Sequence, residues 1–387
     1  MAGLPPVQVF HQVPVVPVRS VARHVAFGGP VWPDFDRQVA PRHCRDGRPV
    51  DRCPEVPAAT SRLDAAAVWG GFLDPQFGHL IVEQLTRLPQ SLAERPGDPV
   101  LFTLPKGLSA QAVPGWVWQV LDWHGVPRDR VRLVDRALTV AELHVAAQGE
   151  MMGKAPTPAA YLDLLDRNSA RRALVADRGG VVFVTRAGMV ARGKGGHAGE
   201  GYLADALRRA GVRVVDPALL PVRRQLEVHA GARVLVFSEG SAIHGRLLLG
   251  RGAQDIHVLR RRPSRDLAAE QLAPRCDRLH YHAAVGQRLW ARMRDGGERL
   301  DLTAAIYDLG VVLDLFASLG HDLRPDWDDG AYRAAVARDL RGWLSTCPIH
   351  PDQVQANRAL AAAAGHDIDP PPTAPPRAAA RIAQAHL

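Results

Sequence analysis

The chain has few cysteines and no long hydrophobic run. Its 387 residues include four cysteines, none of them in a Cys-x-x-Cys pair, which argues against a disulfide framework or a cysteine-based zinc motif. Charges or prolines interrupt the apolar runs within about ten residues, well short of the ~20 that a membrane helix needs. The N-terminus has no basic segment before its apolar part, so a signal peptide is not predicted. We expect a cytoplasmic protein, and peripheral contact with the inner face of a membrane stays open.

Aromatic residues are also scarce, at 6% of the chain. The basic total of 48 Lys+Arg against 40 Asp+Glu is nearly all arginine. Sites for single-stranded nucleic acid interleave such charges with stacking aromatics, yet the densest arginine cluster, LRRRPSRD at residues 259–266, contains no aromatic residue. The net charge of +8 therefore does not predict a nucleic-acid partner, although it favours a partner that carries phosphates.

Segments typical of strands and helices alternate through most of the chain. The length favours two domains, and the alternation predicts parallel sheets with a ligand at the carboxyl ends of their strands. The predicted organisation consists of an irregular, Pro-rich lead segment (1–60, with one or two strands), an N-terminal α/β domain (61–170), a second α/β domain (171–300), C-terminal helices (301–345) and a loosely held Pro/Ala-rich tail (346–387).

The stretch FSEGSAIHGRLLLG, Phe237 to Gly250, follows the predicted strand RVLVFS and opens a predicted helix. Unpaired N–H groups at a helix start favour an anion. Gly240 permits close backbone approach, and Ser241 can donate its hydroxyl to a phosphate oxygen or simply cap the helix. The turn therefore predicts either a phosphate site or ordinary capping.

A Gly- and Arg-rich loop, TRAGMVARGKGGHAGEG, follows the predicted strand VVFVT. It is not a Walker-type phosphate loop, because Lys194 is followed by glycine rather than by Ser or Thr. Arg186 and Arg192 remain as candidates to clamp a diphosphate through charge-assisted hydrogen bonds. A solvated flexible loop is the alternative.

The segment FGHLIVEQLTRL places His79, Glu83 and Arg87 four residues apart, so we expect them on one helix face. The zinc motif H-E-x-x-H is absent. A histidine held by a carboxylate suits a general base or a contact to a sugar hydroxyl, and a surface ion pair is the alternative. A further acidic pair, Asp326 and Asp328, precedes a predicted helix and is expected to cap it rather than to bind metal.

Three blocks in this order resemble the glycosyltransferase 61 family: FGHLIVEQLTRL, then VFVTR with a later Arg and Glu, then LPVRRQLEVHAGARVLVFSEGSAIHG. The resemblance is to bacterial members of the kind found in capsular polysaccharide biosynthesis. It implies a GT-B fold, in which two Rossmann-like domains face each other across a cleft. It also implies inverting transfer from a nucleotide sugar without a metal or another cofactor. The positions that match the family's blocks are Gly78, His79, Glu83, Arg87, Leu88, Arg186, Arg192, Glu200, Gln225, Gly240, Ser241 and His244.

These observations predict an inverting glycosyltransferase that passes a sugar to a glycan, lipid-linked or protein acceptor. His79 is the predicted base, Glu83 its partner and Glu239 a second candidate for the base. The predicted donor-binding residues are Arg186, Arg192, Glu200, Gly240, Ser241 and His244. Glu239 and Gly245 replace residues that are often His and Asn in the family. These two departures support the alternative of a catalytically silent GT-B-fold protein that binds glycans or nucleotides.

Overall fold

The computed structural model describes residues 3–22, 25–58, 60–104, 108–153, 155–176, 179–262, 266–293, 295–366 and 368. The first unit contains strands β1 (Gln8–Ala22), β2 (Val25–Pro30), β3 (Cys44–Arg45), β4 (Arg48–Pro49), β5 (Asp51–Arg52), β6 (Ser61–Phe72), β7 (Val100–Thr103), β8 (Val131–Val134) and β9 (Leu138–Val145). Its helices are α1 (Phe77–His79), α2 (Leu88–Glu94), α3 (Gly115–Trp123) and α4 (Ala159–Arg171). A π turn (Leu80–Gln84) and a 3₁₀ turn (Leu85–Arg87) join α1 to α2, and further 3₁₀ turns lie at Ala110–Ala112 and Arg128–Arg130.

Seven strands of the first unit form one sheet in the order β5-β2-β1-β9-β6-β7-β8. The pairs β9-β6, β6-β7 and β7-β8 are parallel, as the alternation predicts, whereas β1 is antiparallel to both of its neighbours. The lead segment, predicted as irregular with one or two strands, carries five strands, β1 to β5, of which β1, β2 and β5 belong to this sheet. Burial of Val13 and Val15 against Trp32 favours the strand despite its prolines, and Pro17 falls where the β1–β2 register shifts, a position that tolerates proline.

The second unit carries the remaining elements. Its strands are β10 (Gly179–Val184), β11 (Gly196–Ala198), β12 (Arg213–Val215), β13 (Ala232–Ser238), β14 (Asp255–Leu259), β15 (Arg278–His282), β16 (Val285–Leu289) and β17 (Ala304–Tyr307). Its helices are α5 (Glu200–Arg209), α6 (Val222–Gly231), α7 (Ala269–Leu272), α8 (Leu309–Ser318), α9 (Asp329–Thr346) and α10 (Pro351–Ala363). Its 3₁₀ turns are Val190–Arg192, Pro217–Leu219, Ser241–Leu248, Ala273–Arg275 and Arg324–Asp326.

The second sheet has the order β12-β10-β13-β14-β15, and all of its pairs are parallel. This confirms the parallel arrangement predicted for residues 171–300, except for β16, which is antiparallel to β17 in a separate sheet. The apolar, mostly β-branched runs of β10 and β13 account for that success, because such runs suit strands that are buried on both faces.

The C-terminal region departs from the sequence prediction in two places. Residues 304–307, predicted as part of a helix, form β17 between β11 and β16, where all four side chains are buried. Helix α10 lies in the segment predicted as a loose tail, and the Asn357 amide bonds to the backbone N–H and C=O of Trp290. Asp328 caps α9 by accepting from the N–H of Ala331, as predicted. Residues 369–387 of the predicted tail lie outside the described residues.

The two units share one hydrophobic core. Val68 and Leu80 of the first unit belong to the same buried cluster as Val182, Leu235 and Ile243 of the second. The mixed α/β class is confirmed, whereas the GT-B arrangement and the domain boundaries stay predictions. Within the described part of the chain, no helix is both long and apolar enough to cross a membrane.

Candidate functional site

A cleft of about 530 Å³ lies between the carboxyl edge of the second sheet and the first unit. Arg186 follows β10, Gly240 and Ser241 follow β13, and Arg261 and Arg262 follow β14, because parallel strands end at one edge of their sheet. The facing wall is formed by Arg45, Gln76, Phe77, Gly78, His79 and Met152. The cleft therefore brings together residues that the sequence places more than 200 positions apart.

His79 and Glu83 form the pair that the helical spacing predicts. The Nδ1 atom of His79 lies 3.2 Å from Oε2 of Glu83. Arg45, in the β3–β4 hairpin, donates from Nε to Oε1 at 2.7 Å and from Nη2 to Oε2 at 2.8 Å, and its Nη2 also lies 3.4 Å from His79 Nδ1. Sequence reasoning missed Arg45, since nothing local to the hairpin shows which carboxylate it reaches.

This triad changes the protonation of both of its titratable groups. Burial by itself would raise the pKa of Glu83, but the bonds from His79 and Arg45 prevail and lower it to about 2. The bond to Glu83 raises the pKa of His79 against the opposing effect of burial. Glu83 is therefore an anion at neutral pH, and it makes His79 a stronger base.

Arg87 does not continue the face of His79 and Glu83, which corrects that prediction. It is buried, and its guanidinium donates to the carbonyl oxygens of Pro41 (3.1 Å), Arg42 (3.3 Å) and Ala146 (2.9 Å). The wider π turn at Leu80–Gln84 changes the helical phase that a spacing of 3.6 residues assumes. Arg87 thus ties the lead segment to the end of β9.

Arg186 and Gly240 lie against each other at the floor of the cleft. Arg186 donates from Nη2 to the carbonyl of Gly195 at 3.1 Å, while its Nε atom is buried without a hydrogen-bond partner among the described residues. A Cβ on Gly240 would overlap this guanidinium, so glycine is needed there for close approach. Burial lowers the pKa of Arg186.

Ser241 begins a 3₁₀ helix rather than the predicted α-helix, and no side chain caps it. The capping alternative is therefore wrong for Ser241, which lines the cleft instead. His244 is buried beneath it, and a Cβ on Gly78 would come within 2.7 Å of His244 Cδ2. Gly78 and His244 thus bring the two units into close contact beside His79.

Glu239 lines the cleft, but its carboxylate is already engaged. Its Oε2 accepts from the N–H groups of Arg261 (2.6 Å) and Arg262 (2.9 Å), and its Oε1 accepts from Nε of Arg262 (2.7 Å). Only 1% of the residue is exposed. These bonds favour a role in positioning the two arginines over the predicted role of base.

Arg261 and Arg262 line the cleft but were not predicted as site residues, because their cluster was considered only as a nucleic-acid surface, which its lack of aromatic residues argued against. Arg261 donates from Nη1 to the carbonyls of Leu300 (2.9 Å) and Thr303 (2.7 Å). Burial lowers its pKa to about 9. Their position directly after β14 could have identified them as site residues, because it is equivalent to the position of Gly240 after β13.

Glu200 and Arg192, both predicted to bind the donor, do not line this cleft. The buried Glu200 accepts from Thr185 Oγ1 (2.7 Å), Ser238 Oγ (2.7 Å) and the backbone N–H of Arg186. Burial raises its pKa. Glu200 therefore anchors the turn that presents Arg186. The exposed Arg192 donates to the carbonyl of Gly188 at 3.1 Å and lines a neighbouring cavity that Arg186 also lines.

A second cavity of about 490 Å³ adjoins the cleft and shares Phe77, Arg186 and Ser241 with it. Its other lining residues are mostly apolar and include Trp116, Met189, Leu219 and Leu220. Gln225 lines this cavity and donates from Nε2 to the carbonyls of Pro217 and Leu220, both at 2.9 Å. It thereby holds the loop of residues 216–221.

Residues 77–254 match a family model described as Glycosyltransferase 61, which confirms the resemblance predicted from the three blocks. No curated protein matches the chain. Among solved structures, the flavodiiron protein from Giardia intestinalis is similar at 10% identity with a TM-score of 0.21. That match covers 55% of this chain and 46% of the Giardia protein, less than half of its length. Arg45, Arg261 and Arg262 lie outside the matched range.

Proposed function

We propose that this protein, whose residues 77–254 match the glycosyltransferase 61 family model, is an inverting, metal-independent enzyme that transfers a sugar from a nucleotide sugar to a hydroxyl of a glycan, lipid-linked or protein acceptor. The observation that carries the proposal is the presence of the His79–Glu83 pair and Arg186 on facing walls of one cleft. A base and a site for a leaving diphosphate are the two groups that such a reaction needs.

His79 removes the proton of the acceptor hydroxyl. Because Nδ1 faces the Glu83 carboxylate, the neutral ring carries its proton on Nδ1, and Nε2 keeps the lone pair that accepts the incoming proton. Glu83 holds this tautomer and stabilises the imidazolium that forms, while Arg45 fixes the carboxylate. This is the base–orienter arrangement of a general-base site.

Arg186 and Arg262 hold the leaving group from the opposite wall. As the acceptor oxygen bonds to the anomeric carbon, the bond from that carbon to the diphosphate oxygen breaks. The nucleoside diphosphate leaves with the electron pair, and the acceptor proton passes to His79. Attack from the face opposite the leaving group inverts the anomeric centre. Cationic donors fixed where charge develops stabilise the transition state without reorganising.

Arginine side chains neutralise the leaving diphosphate, which a divalent metal ion does in other transferases. Arg261 and Arg262 stand beside Arg186 in the cleft wall, and the nearby Glu239 is bound to Arg262. Asp328 of the Asp326-Trp327-Asp328 pair is used as a helix cap. A bacterial source, polysaccharide assembly and a cytoplasmic location stay predictions.

The test is transfer or hydrolysis of a panel of nucleotide sugars by the purified protein in EDTA, with the product anomer identified by NMR. We expect turnover with inversion, reduced about 10²- to 10³-fold by Arg186→Ala. Arg324→Ala, which changes an exposed arginine paired with Asp314, is the matched control and should leave turnover unchanged. Nucleotide binding without turnover would support the catalytically silent alternative instead.

A further inference from the structure

The walls of the second cavity are held in place by ring contacts and hydrogen bonds. Phe77 and Trp116 of the first unit meet edge-on, with ring centroids 5.2 Å apart. The opposite side is the loop of residues 216–221, which is fixed from two directions. Gln225 donates to two of its carbonyls, and the N–H of Val222 donates to Gln119 Oε1 at 2.7 Å.

Leu219 is the most exposed large apolar residue of the described chain, at 79%. It lies on this fixed loop and lines the cavity with Trp116 and Met189. The fixed loop and the aromatic pair together give this cavity a mostly apolar lining with a few polar groups, which is typical of small-molecule sites. A nucleobase suits this cavity, because it is flat and apolar on both faces. Every base can stack on an aromatic side chain.

The position of His79 fixes which part of the donor can reach this cavity. This step rests on the proposed function. His79 lines the cleft but not the second cavity, whereas Arg186 and Ser241 line both. With the diphosphate at Arg186, the sugar must point toward His79 for its anomeric carbon to react. The nucleoside, joined to the other phosphate, then extends into the second cavity.

Asp216 supplies a polar contact in that cavity. It follows β12, the second strand of the parallel unit that starts with β10, and its Oδ1 accepts from the N–H of Ala218 at 2.9 Å. In Rossmann-type units, a carboxylate near the end of the second strand binds ribose hydroxyls. The second oxygen, Oδ2, is therefore suited to accept from a ribose hydroxyl at the cavity wall.

We propose that the second cavity binds the nucleoside of the donor, with the base against Trp116 and the 2′-hydroxyl of the ribose at Asp216. The cavity thus selects ribonucleotide donors, and Trp116 and Asp216 are specificity residues outside the reacting cleft.

The experiment is calorimetric titration with UDP, GDP, ADP and CDP, their 2′-deoxy forms, and inorganic diphosphate. For the nucleotide that binds best, we expect the 2′-deoxy form to bind about tenfold more weakly than the ribo form. Asp216→Asn, which keeps an acceptor for the Ala218 N–H, should abolish that difference. The ratio of the ribo to the 2′-deoxy affinity reports a contact to the 2′-hydroxyl. If Asp216 had only a structural role, Asp216→Asn would leave that ratio unchanged.

Trp116→Ala should weaken nucleoside diphosphate binding about tenfold and leave inorganic diphosphate unaffected. The matched control is Trp118→Ala, because Trp118 packs under Arg128 and does not line the cavity. Thermal melting of each variant verifies folding, and any variant that melts early is replaced by Trp116→Leu or Asp216→Ser.

The outcomes separate this inference from the function. Equal affinities for the ribo and 2′-deoxy forms in the wild type would overturn the inference, and so would unchanged nucleotide binding in Trp116→Ala. In either case, nucleotide binding that is lost in Arg186→Ala would still support the proposed function. A raised acceptor KM with unchanged donor binding in Trp116→Ala would assign the cavity to the acceptor and also overturn it. If neither nucleotides nor inorganic diphosphate bind, the proposed function itself fails.

Discussion

The guanidinium of Arg186 lies against the Cα of Gly240, so closely that a Cβ at position 240 would overlap its Nη1, Cζ and Nε atoms. The arginine follows β10, and the glycine follows the neighbouring strand β13. The contact therefore places a positive charge at the sheet edge, between the two cavities of the site. Its geometry does not depend on an unusual backbone angle, since Gly240 is extended with φ 172.

Gly240→Ala should therefore impair activity without unfolding the protein. The added methyl group meets the far end of a flexible side chain, so Arg186 swings away while the fold persists. We expect a loss in kcat/KM approaching that of Arg186→Ala, about 10²-fold, with little change in melting temperature. Gly201→Ala is the control, because a Cβ there meets open space. Normal activity in Gly240→Ala would show that the position of Arg186 is unimportant.

Glu83→Gln should shift the pH dependence of the reaction. His79 must be neutral to act as a base, so kcat/KM rises with pH through its pKa, which Glu83 raises above the ordinary value near 6.5. Glutamine can still accept from Nδ1 but carries no charge. The acidic limb of the profile should therefore move to lower pH, and the plateau should fall by less than in His79→Ala, for which we expect about 10²- to 10⁴-fold.

The control for this pH shift is Glu142→Gln. Glu142 accepts from His144 Nε2 at 2.7 Å, but neither residue lines the cleft, so its removal should leave the profile unchanged. An unmoved acidic limb in Glu83→Gln would mean that His79 is not the group whose titration limits activity.

Arg45→Ala should destabilise the protein mainly at neutral pH. The low pKa of Glu83, about 2, contributes stability that is present above the unfolded value near 4.5 and is lost as the pH falls toward 2. Removing Arg45 leaves a buried carboxylate with fewer donors, and we expect a loss of about 1.5–3 kcal/mol in the free energy of unfolding. Urea denaturation at pH 7.5, 4.5 and 3 measures it.

The difference between Arg45→Ala and the wild type should shrink as the pH falls through that window. Arg62→Ala, which breaks an exposed pair with Asp64, should change stability by no more than about 1 kcal/mol. A loss in Arg45→Ala that does not vary with pH would place its origin in packing rather than in the ion pair.

Much of the site could be predicted from residues that lie at the ends of strands. The run before Arg186 and the run before Glu239 are strongly apolar, so the strands, their parallel pairing and the turns that follow them could all be predicted. The spacing of His79 and Glu83 sufficed for their contact, because one helical turn separates them. The position of Arg87 could not be predicted in the same way. The wider π turn at Leu80–Gln84 rotates the side chains that follow it relative to those of a regular α-helix.

The remaining errors come from interactions over long sequence separations. Arg45 reaches Glu83 from a hairpin whose own sequence is short and polar, and only the packed fold brings them together. The strand β17 was predicted as helix because AAIY suits either structure, and pairing with β11 and β16 decided it. Arg262 was not predicted as a site residue, because its pairing with Glu239, which places it in the cleft wall, joins residues from two different strand ends.

A buried ion pair between Glu150 and Arg275 links the two units. Arg275 Nη2 lies 2.9 Å from Glu150 Oε2, with 0% and 2% of the side chains exposed, and Trp123 of the first unit donates to the carbonyl of Leu248 in the second at 3.1 Å. Glu150→Gln would leave the Arg275 charge buried without its counterion, a change that costs about 3–5 kcal/mol.

Calorimetry of Glu150→Gln should show one transition at a lower temperature, since the shared core of Val68, Leu80, Leu235 and Ile243 couples the two sheets. Asp255→Asn, which weakens a pair with the exposed Arg278, should lower the free energy of unfolding by at most about 1 kcal/mol. Two resolved transitions, with only one of them shifted, would contradict a common core and would favour independent domains that can close on the donor. A single shifted transition means instead that the cleft is assembled when the chain folds, so donor binding meets a site whose Arg186 and His79 walls are already in place.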